Sequence, residues 1–279
     1  MRLTLWAALA LAVCACSDST SSSSGGNISA ADASDIGFAE SDEVEQAVSA
    51  LTTPVSVSAE SPTAPGCATV DDETDTDGDF QPDDATYTFA LPACHFTGFR
   101  GGSLDVTGTI TLSDPTPSAP DLALVATLTD FTFTFTSPDQ SRTYSAVRNG
   151  TRTLTGNAQG ISLSNQVTVV RSRPNRADAT VVHNLLLSFT PAEGEALAFG
   201  QPLPDGTFTR SGTFTWSRGG RSLAFTVTTV APLVWDASCT TDRKISSGET
   251  HATLEHGSYV KTVWTACGVD PTRTYVPAG

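Results

Sequence analysis

The sequence predicts an all-β protein: a large antiparallel meander, arranged as a sandwich, a barrel or a half-barrel, with one short helix ahead of it. Three observations carry that expectation. Beyond Cys67 the apolar residues recur with a period of two, glycine and proline punctuate the runs, and no long segment keeps a helical period. The clearest unit runs from Thr207 to Val230, with Gly219-Gly220 as a two-residue hairpin turn. Pairing about that turn sets Trp216 against Leu223, Phe214 against Phe225 and Gly212 against Val227, all on one face. The opposite face is then Thr209, Ser211, Thr213 and Thr215 against Ser222, Ala224, Thr226 and Thr228. A slip of one residue would bury hydroxyls and expose rings, so the register is strongly specified.

The same alternation recurs along the chain. Leu104, Val106, Gly108, Ile110 and Leu112 form a strand that Pro115-Thr116-Pro117 ends. From Leu122 to Leu128 the apolar positions are even, but Phe131, Phe133 and Phe135 are odd. That change of phase near Asp130 predicts a β-bulge, or a strand passing between two layers. Ile161 to Val170 and Ala179 to Phe189 are strands joined across Arg173-Pro174-Asn175-Arg176, and Thr250 to Leu254 pairs with Tyr259 to Thr265 around His256-Gly257.

The N-terminal part is different. Arg2 is followed by an apolar run from Leu3 to Val13 and then Cys14-Ala15-Cys16-Ser17. The run is about half the ~20 residues that span a bilayer, and it has the layout of an export signal. Its end resembles the lipobox of bacterial lipoproteins, with Cys16 as the acylated residue, since Ala15 precedes it whereas Val13 precedes Cys14. The resemblance implies removal of residues 1–15, membrane attachment through acyl chains on Cys16 and, with Ser17 following, delivery to the outer membrane. Residues 16–40 are read as a disordered tether, opening with the Ser/Gly run 17–26. Residues 41–66 are read as a short helix and linker. Asp42 caps it, Val44, Ala47, Val48 and Leu51 share a face, and Pro54 lies just beyond. Residues 67–279 are the β domain.

Charge divides the chain the same way. Up to Asp84 there are 16 of the 30 acidic residues and a single basic one, Arg2; the remainder is neutral. No basic face is available, which excludes nucleic acid as a partner. Cys67, Cys94, Cys239 and Cys267 form an even set in an exported chain and read as disulfides, Cys67 with Cys94 and Cys239 with Cys267, each pair bracketing a hairpin. A zinc site would need a short Cys-x-x-Cys pair, and there is none.

The sharpest chemical feature is the stretch from Asp71 to Asp84. With Gly78 as the turn glycine, Glu73, Asp75, Asp77 and Asp79 occupy the first, third, fifth and seventh positions of a calcium loop, and Asp84 the twelfth. Asp75 to Asp83 also resembles the aspartate-rich loops of thrombospondin type 3 repeats, which implies a structural Ca²⁺. A solvated acidic loop is the alternative. The histidines His95, His183, His251 and His256 form no motif, and no nucleophile elbow, zinc-protease helix or phosphate loop is present. Arg148, Arg152, Arg171, Arg173 and Arg176 gather in the middle third, as a ladder for lipid phosphates or as protection of an edge strand.

The expected function is therefore non-catalytic. One version is an envelope carrier for a lipid or other apolar ligand, its cavity lined by Phe131, Phe133, Phe135, Leu185, Leu187, Phe214, Trp216 and Phe225. A second is a surface or adhesion module with a solid core braced by calcium. A hydrolase assembled from distant strands is the third.

Overall fold

The computed structural model describes residues 67–279, apart from 80, 100–101, 120, 198–200 and 242–243, together with Ile28, Asp32, Asp35–Gly37 and Ala39. Cys16, the 17–26 run and the helix expected at 42–51 lie outside the described residues.

Among the described residues the fold is all-β, a single antiparallel sheet of 13 strands that does not close into a barrel. In chain order these are β1 (Ala68–Thr74), β2 (Asp84–Phe89), β3 (His95–Phe99), β4 (Gly102–Ser113), β5 (Leu124–Thr136), β6 (Thr143–Asn157), β7 (Gly160–Ser172), β8 (Ala179–Pro191), β9 (Gly206–Arg218), β10 (Arg221–Trp235), β11 (Ile245–Leu254), β12 (Tyr259–Trp264) and β13 (Thr272–Val276). Each strand pairs with its sequence neighbour, except that β2 and β3 both lie along β4. The β6–β7 and β9–β10 connections are two-residue turns, the low-cost solution for antiparallel pairs, while β4–β5, β8–β9 and β10–β11 are joined by longer loops.

The hairpin of β9 and β10 has the register read from its pattern: Trp216 faces Leu223, Phe214 faces Phe225 and Gly212 faces Val227. Both turn glycines take positive φ, 56° at Gly219 and 80° at Gly220, which a type I′ turn demands and most side chains disfavour.

The phase change in β5 is a bulge. Asp130 (φ 48°) is an extra residue, so that Asp130 and Phe131 together stand opposite Gly108 of β4. The register with β6 shifts at the same place, where the Asn149 side chain accepts from the Asp130 amide at 2.8 Å. Gly108 is required there, because a Cβ on it would lie 2.4 Å from the Asp130 carbonyl oxygen.

One face of the sheet carries the core. Val169, Val181, Phe208, Phe225, Val227 and Leu233 are fully or almost fully buried, while the alternate residues of their strands point to solvent. So wide a sheet of twisted strands coils, and further register shifts between β9 and β10 and between β10 and β11 bend it. The outer face is dominated by hydroxyls, with Thr86, Thr111, Thr127 and Thr151 aligned across four strands.

Part of the inner face is covered by the N-terminal segment. Asp32, Asp35–Gly37 and Ala39 are helical, and Ile28, Ile36 and Ala39 are buried against Val181, Trp216, Val227 and Val260. At these positions the expectation of a disordered tether does not hold. The composition is small and acidic, but Ile28, Ile36 and Ala39 are buried together with Asp35 and Gly37.

Candidate functional site

Both disulfides join the pairs expected. Cys67 is bonded to Cys94 (Cα–Cα 4.6 Å) and Cys239 to Cys267 (Cα–Cα 6.2 Å), enclosing the β1–β2 and β11–β12 hairpins. The first closes the open end of the β1–β2 hairpin, opposite the acidic loop, onto the turn before β3.

That loop, residues 75–83, is a hairpin connection rather than a helix-flanked EF-hand loop, since Thr74 and Asp84 pair across its base. Gly78 (φ 79°) donates its amide to Asp75 Oδ1 at 2.8 Å, and the Asp79 amide reaches Asp77 Oδ1 at 3.3 Å. The turn gathers one carboxylate oxygen from each of Asp75, Asp77 and Asp79 within 4.8 Å of one another. Glu73 lies in β1. Asp84 begins β2, is exposed, and stands outside that trio. Asp83 instead holds the loop shut, accepting from the amide and hydroxyl of Thr76.

A second loop, between β4 and β5, leaves the same end of the sheet, because Asp84 of β2 pairs with Ser113 of β4. The Asp114 amide donates to the Asp83 carbonyl at 3.1 Å. Gln81 is buried and donates its side-chain amide to Asp79 Oδ2 and to the Asp121 carbonyl, while the Asp121 amide donates to Asp79 Oδ2. Thr116 bridges Asp114 and Asp121 through its hydroxyl. Partial burial pushes the Asp77 carboxyl above its ordinary range; the Asp79 amide opposes this, and the charges of Asp79, Asp114 and Asp75 add to it. Asp114 and Asp121 were not legible as site residues, since their strand-end loop is distant in sequence and only the pairing of β2 with β4 brings it alongside.

A different charged cluster fastens the N-terminal segment. Asp35 is 7% exposed and accepts from Arg173 at 2.7 Å, Arg176 at 3.3 Å and Arg218 at 2.5 Å. Asp32 pairs with Arg221 at 2.8 Å. These arginines lie in the β7–β8 and β9–β10 turn regions, so two neighbouring turns grip one short helical stretch.

The remaining arginines correct the expectation of edge protection. Arg148 on β6 and Arg171 on β7 are central in the sheet and face inward, as does Arg210 on β9; all three are buried. Arg148 sits 5.0 Å over the ring of Phe133. The signal was available in parity: Arg148 shares the phase of Tyr144, Ala146 and Leu154, and Arg171 that of Val167 and Val169.

The histidines lie on separate elements. His183 is buried beside Phe214, with ring centroids 5.9 Å apart. His95 pairs with Asp105, and His251 with Glu249, whose other oxygen holds Lys261 at 2.7 Å. His256 is exposed in the β11–β12 turn. Among the described residues no hydroxyl or thiol is hydrogen-bonded to His95 or His251.

Most of the side chains expected to line a cavity pack within the core, and Phe131, Phe133 and Phe135 lie partly buried against it. Phe214 and Phe225 stack at 4.7 Å, Phe131 meets Phe133 at 4.9 Å and Phe89 at 5.2 Å, and Leu185, Leu187 and Trp216 are buried. No protein-family model matches the chain, and no curated protein or solved structure matches it either.

Proposed function

We propose that the chain is a non-catalytic structural module of the cell envelope, acylated at Cys16 and held at the outer membrane, that works through its surface. The observation that carries this reading over a lipid carrier is the packing of the inner face. A carrier needs apolar side chains that meet a ligand. Here Phe214, Trp216 and Phe225 meet each other and the docked residues Ile28, Ile36 and Ala39. The lipobox-like ending at Cys16 supports the anchor, and two or more acyl chains at ~0.8 kcal/mol per buried methylene make such an attachment durable. An outer face rich in threonine supports a surface role.

Native mass spectrometry of the protein extracted from its host membrane tests both parts. The expected species is the chain from Cys16 with covalent acyl groups and no further lipid, and Cys16→Ser releases the protein to the soluble fraction. A stoichiometric non-covalent lipid would restore the carrier, and a Cys16→Ser protein that stays in the membrane fraction would remove the anchor.

A further inference from the structure

The two acidic loops contain more oxygen than they can satisfy. Asp77 Oδ2, Gln81 Oε1, Asp114 Oδ2 and Asp121 Oδ1 are all buried without a hydrogen-bond donor. Each belongs to the knot formed by residues 75–83 and 114–121, and each is an acceptor. Asp114 as a residue is only 6% exposed. Among the described residues, no lysine, arginine or histidine pairs with Asp77, Asp79, Asp114 or Asp121. Anionic oxygens removed from water without donors are strongly disfavoured, and a cation is the partner that satisfies several at once.

We propose that these loops form a single divalent-cation site that takes Ca²⁺, with Asp75, Asp77 and Asp79 supplying carboxylates from the β1–β2 loop and Asp114 supplying one from the β4–β5 loop. The trio of oxygens within 4.8 Å of one another is the first half of the site. Asp114 is the second: its Oδ2 is buried without a donor, its amide is bonded to Asp83 at the base of the trio's loop, and its charge adds to the rise of the Asp77 carboxyl. The ligand set departs from a twelve-residue loop: Asp84 is not used, and its place is taken from the neighbouring hairpin. An all-oxygen set on irregular loops suits Ca²⁺ over Mg²⁺, which demands a near-ideal octahedron, and offers no nitrogen or sulfur for zinc. The ion would staple the edge hairpin of β1 and β2 to the body of the sheet. This inference is independent of the lipid anchor and of the filled core.

Calorimetric titration of the chelator-treated full chain with CaCl₂, and separately with MgCl₂, tests it. One Ca²⁺ site is expected, of the extracellular class with Kd of about 10⁻⁴–10⁻³ M, and Mg²⁺ binding at least ~10-fold weaker. Asp77→Asn and Asp114→Asn should each weaken Ca²⁺ binding by ~30-fold or more, while Asp84→Asn leaves it unchanged. Melting curves keep the test independent of folding defects. In chelator, Asp114→Asn melts at or above the parent because repulsion is relieved; in Ca²⁺ the order reverses. Absence of Ca²⁺ binding, equal affinity for Mg²⁺, or a loss confined to Asp84→Asn would each overturn the proposal.

Discussion

Replacing Gly108 by alanine tests the construction of the sheet at one atom. Gly108 has φ 106°, and its missing Cβ would lie 2.4 Å from the Asp130 oxygen, 2.6 Å from the Asp130 carbonyl carbon and 2.7 Å from the Phe131 Cα. All three are backbone atoms of the bulge and none can rotate away. The positive φ alone costs about 1–2 kcal/mol for a residue with a side chain. Displacing bulge backbone adds about 1–3 kcal/mol, the usual scale of overpacking. A total near 3 kcal/mol corresponds to a fall in Tm of about 6–12 °C for a domain of this size. The assay is thermal and urea unfolding followed by far-ultraviolet circular dichroism. Gly194→Ala is the control, since Gly194 has φ 86° but nothing within 4 Å of its added Cβ, and it isolates the conformational part at about 1 kcal/mol. Deleting Asp130 in the Gly108→Ala background should recover part of the loss, because it removes the extra residue that crowds the site. Equal losses for Gly108→Ala and Gly194→Ala would refute the close-approach argument.

Ile36→Ala should lower stability by about 2–4 kcal/mol in denaturant titrations, because Ile36 is fully buried in the sheet's inner face; a loss below ~0.5 kcal/mol would mean the segment is not docked. Asp35→Asn should cost about 1–3 kcal/mol, since it weakens three charge-assisted bonds while the Arg173 and Arg176 side chains stay partly exposed to water, and double-mutant cycles with Arg218→Gln would measure the coupling. Each disulfide closes a loop of comparable length, sequence separations 27 and 28, so reduction of either should cost about 3.5 kcal/mol by loop-closure entropy; Cys67→Ala/Cys94→Ala and Cys239→Ala/Cys267→Ala proteins compared by urea unfolding check it. Hydrogen bonds from Ser137 and Ser141 hold the Asp139 carboxyl down to about 2. Its folded pKa lies below the unfolded one, so its stabilising contribution is present above about pH 4 and is lost as pH falls through about 2. A carboxyl NMR titration of the parent and of Ser137→Ala, in which the value should rise, reads this directly.

The sheet was legible where burial is one-sided. Around the β9–β10 turn every second residue is apolar, and only one register keeps Phe214, Trp216, Leu223 and Phe225 together. The bulge at Asp130 was legible because a period of two cannot change phase without an extra residue. Closure was not legible, since alternation records which face is buried and not how a wide sheet bends. The docked N-terminal residues were hidden by composition: Asp32, Asp35 and Gly37 read as a solvated segment, whereas Asp35 is buried by the arginines of two distant turns that only the sheet brings to it. Arg148 and Arg171 were misplaced because charge was weighed before parity. In the acidic loops, Asp75, Asp77 and Asp79 were visible as a run, whereas Asp114 and Asp121 became neighbours only through the pairing of β2 with β4.

The central claim is that the inner face of the sheet is closed by the chain itself, with residues near Ile36 as part of the closure. NMR-detected hydrogen exchange at the amides of Ile36, Gly37 and Ala39 tests it most directly. The account predicts exchange slowed at least ~100-fold relative to an unstructured chain, rising toward the unprotected rate in Ile36→Ala. Exchange at the unstructured rate in the parent protein, while the amides of β7 to β10 stay protected, would contradict it.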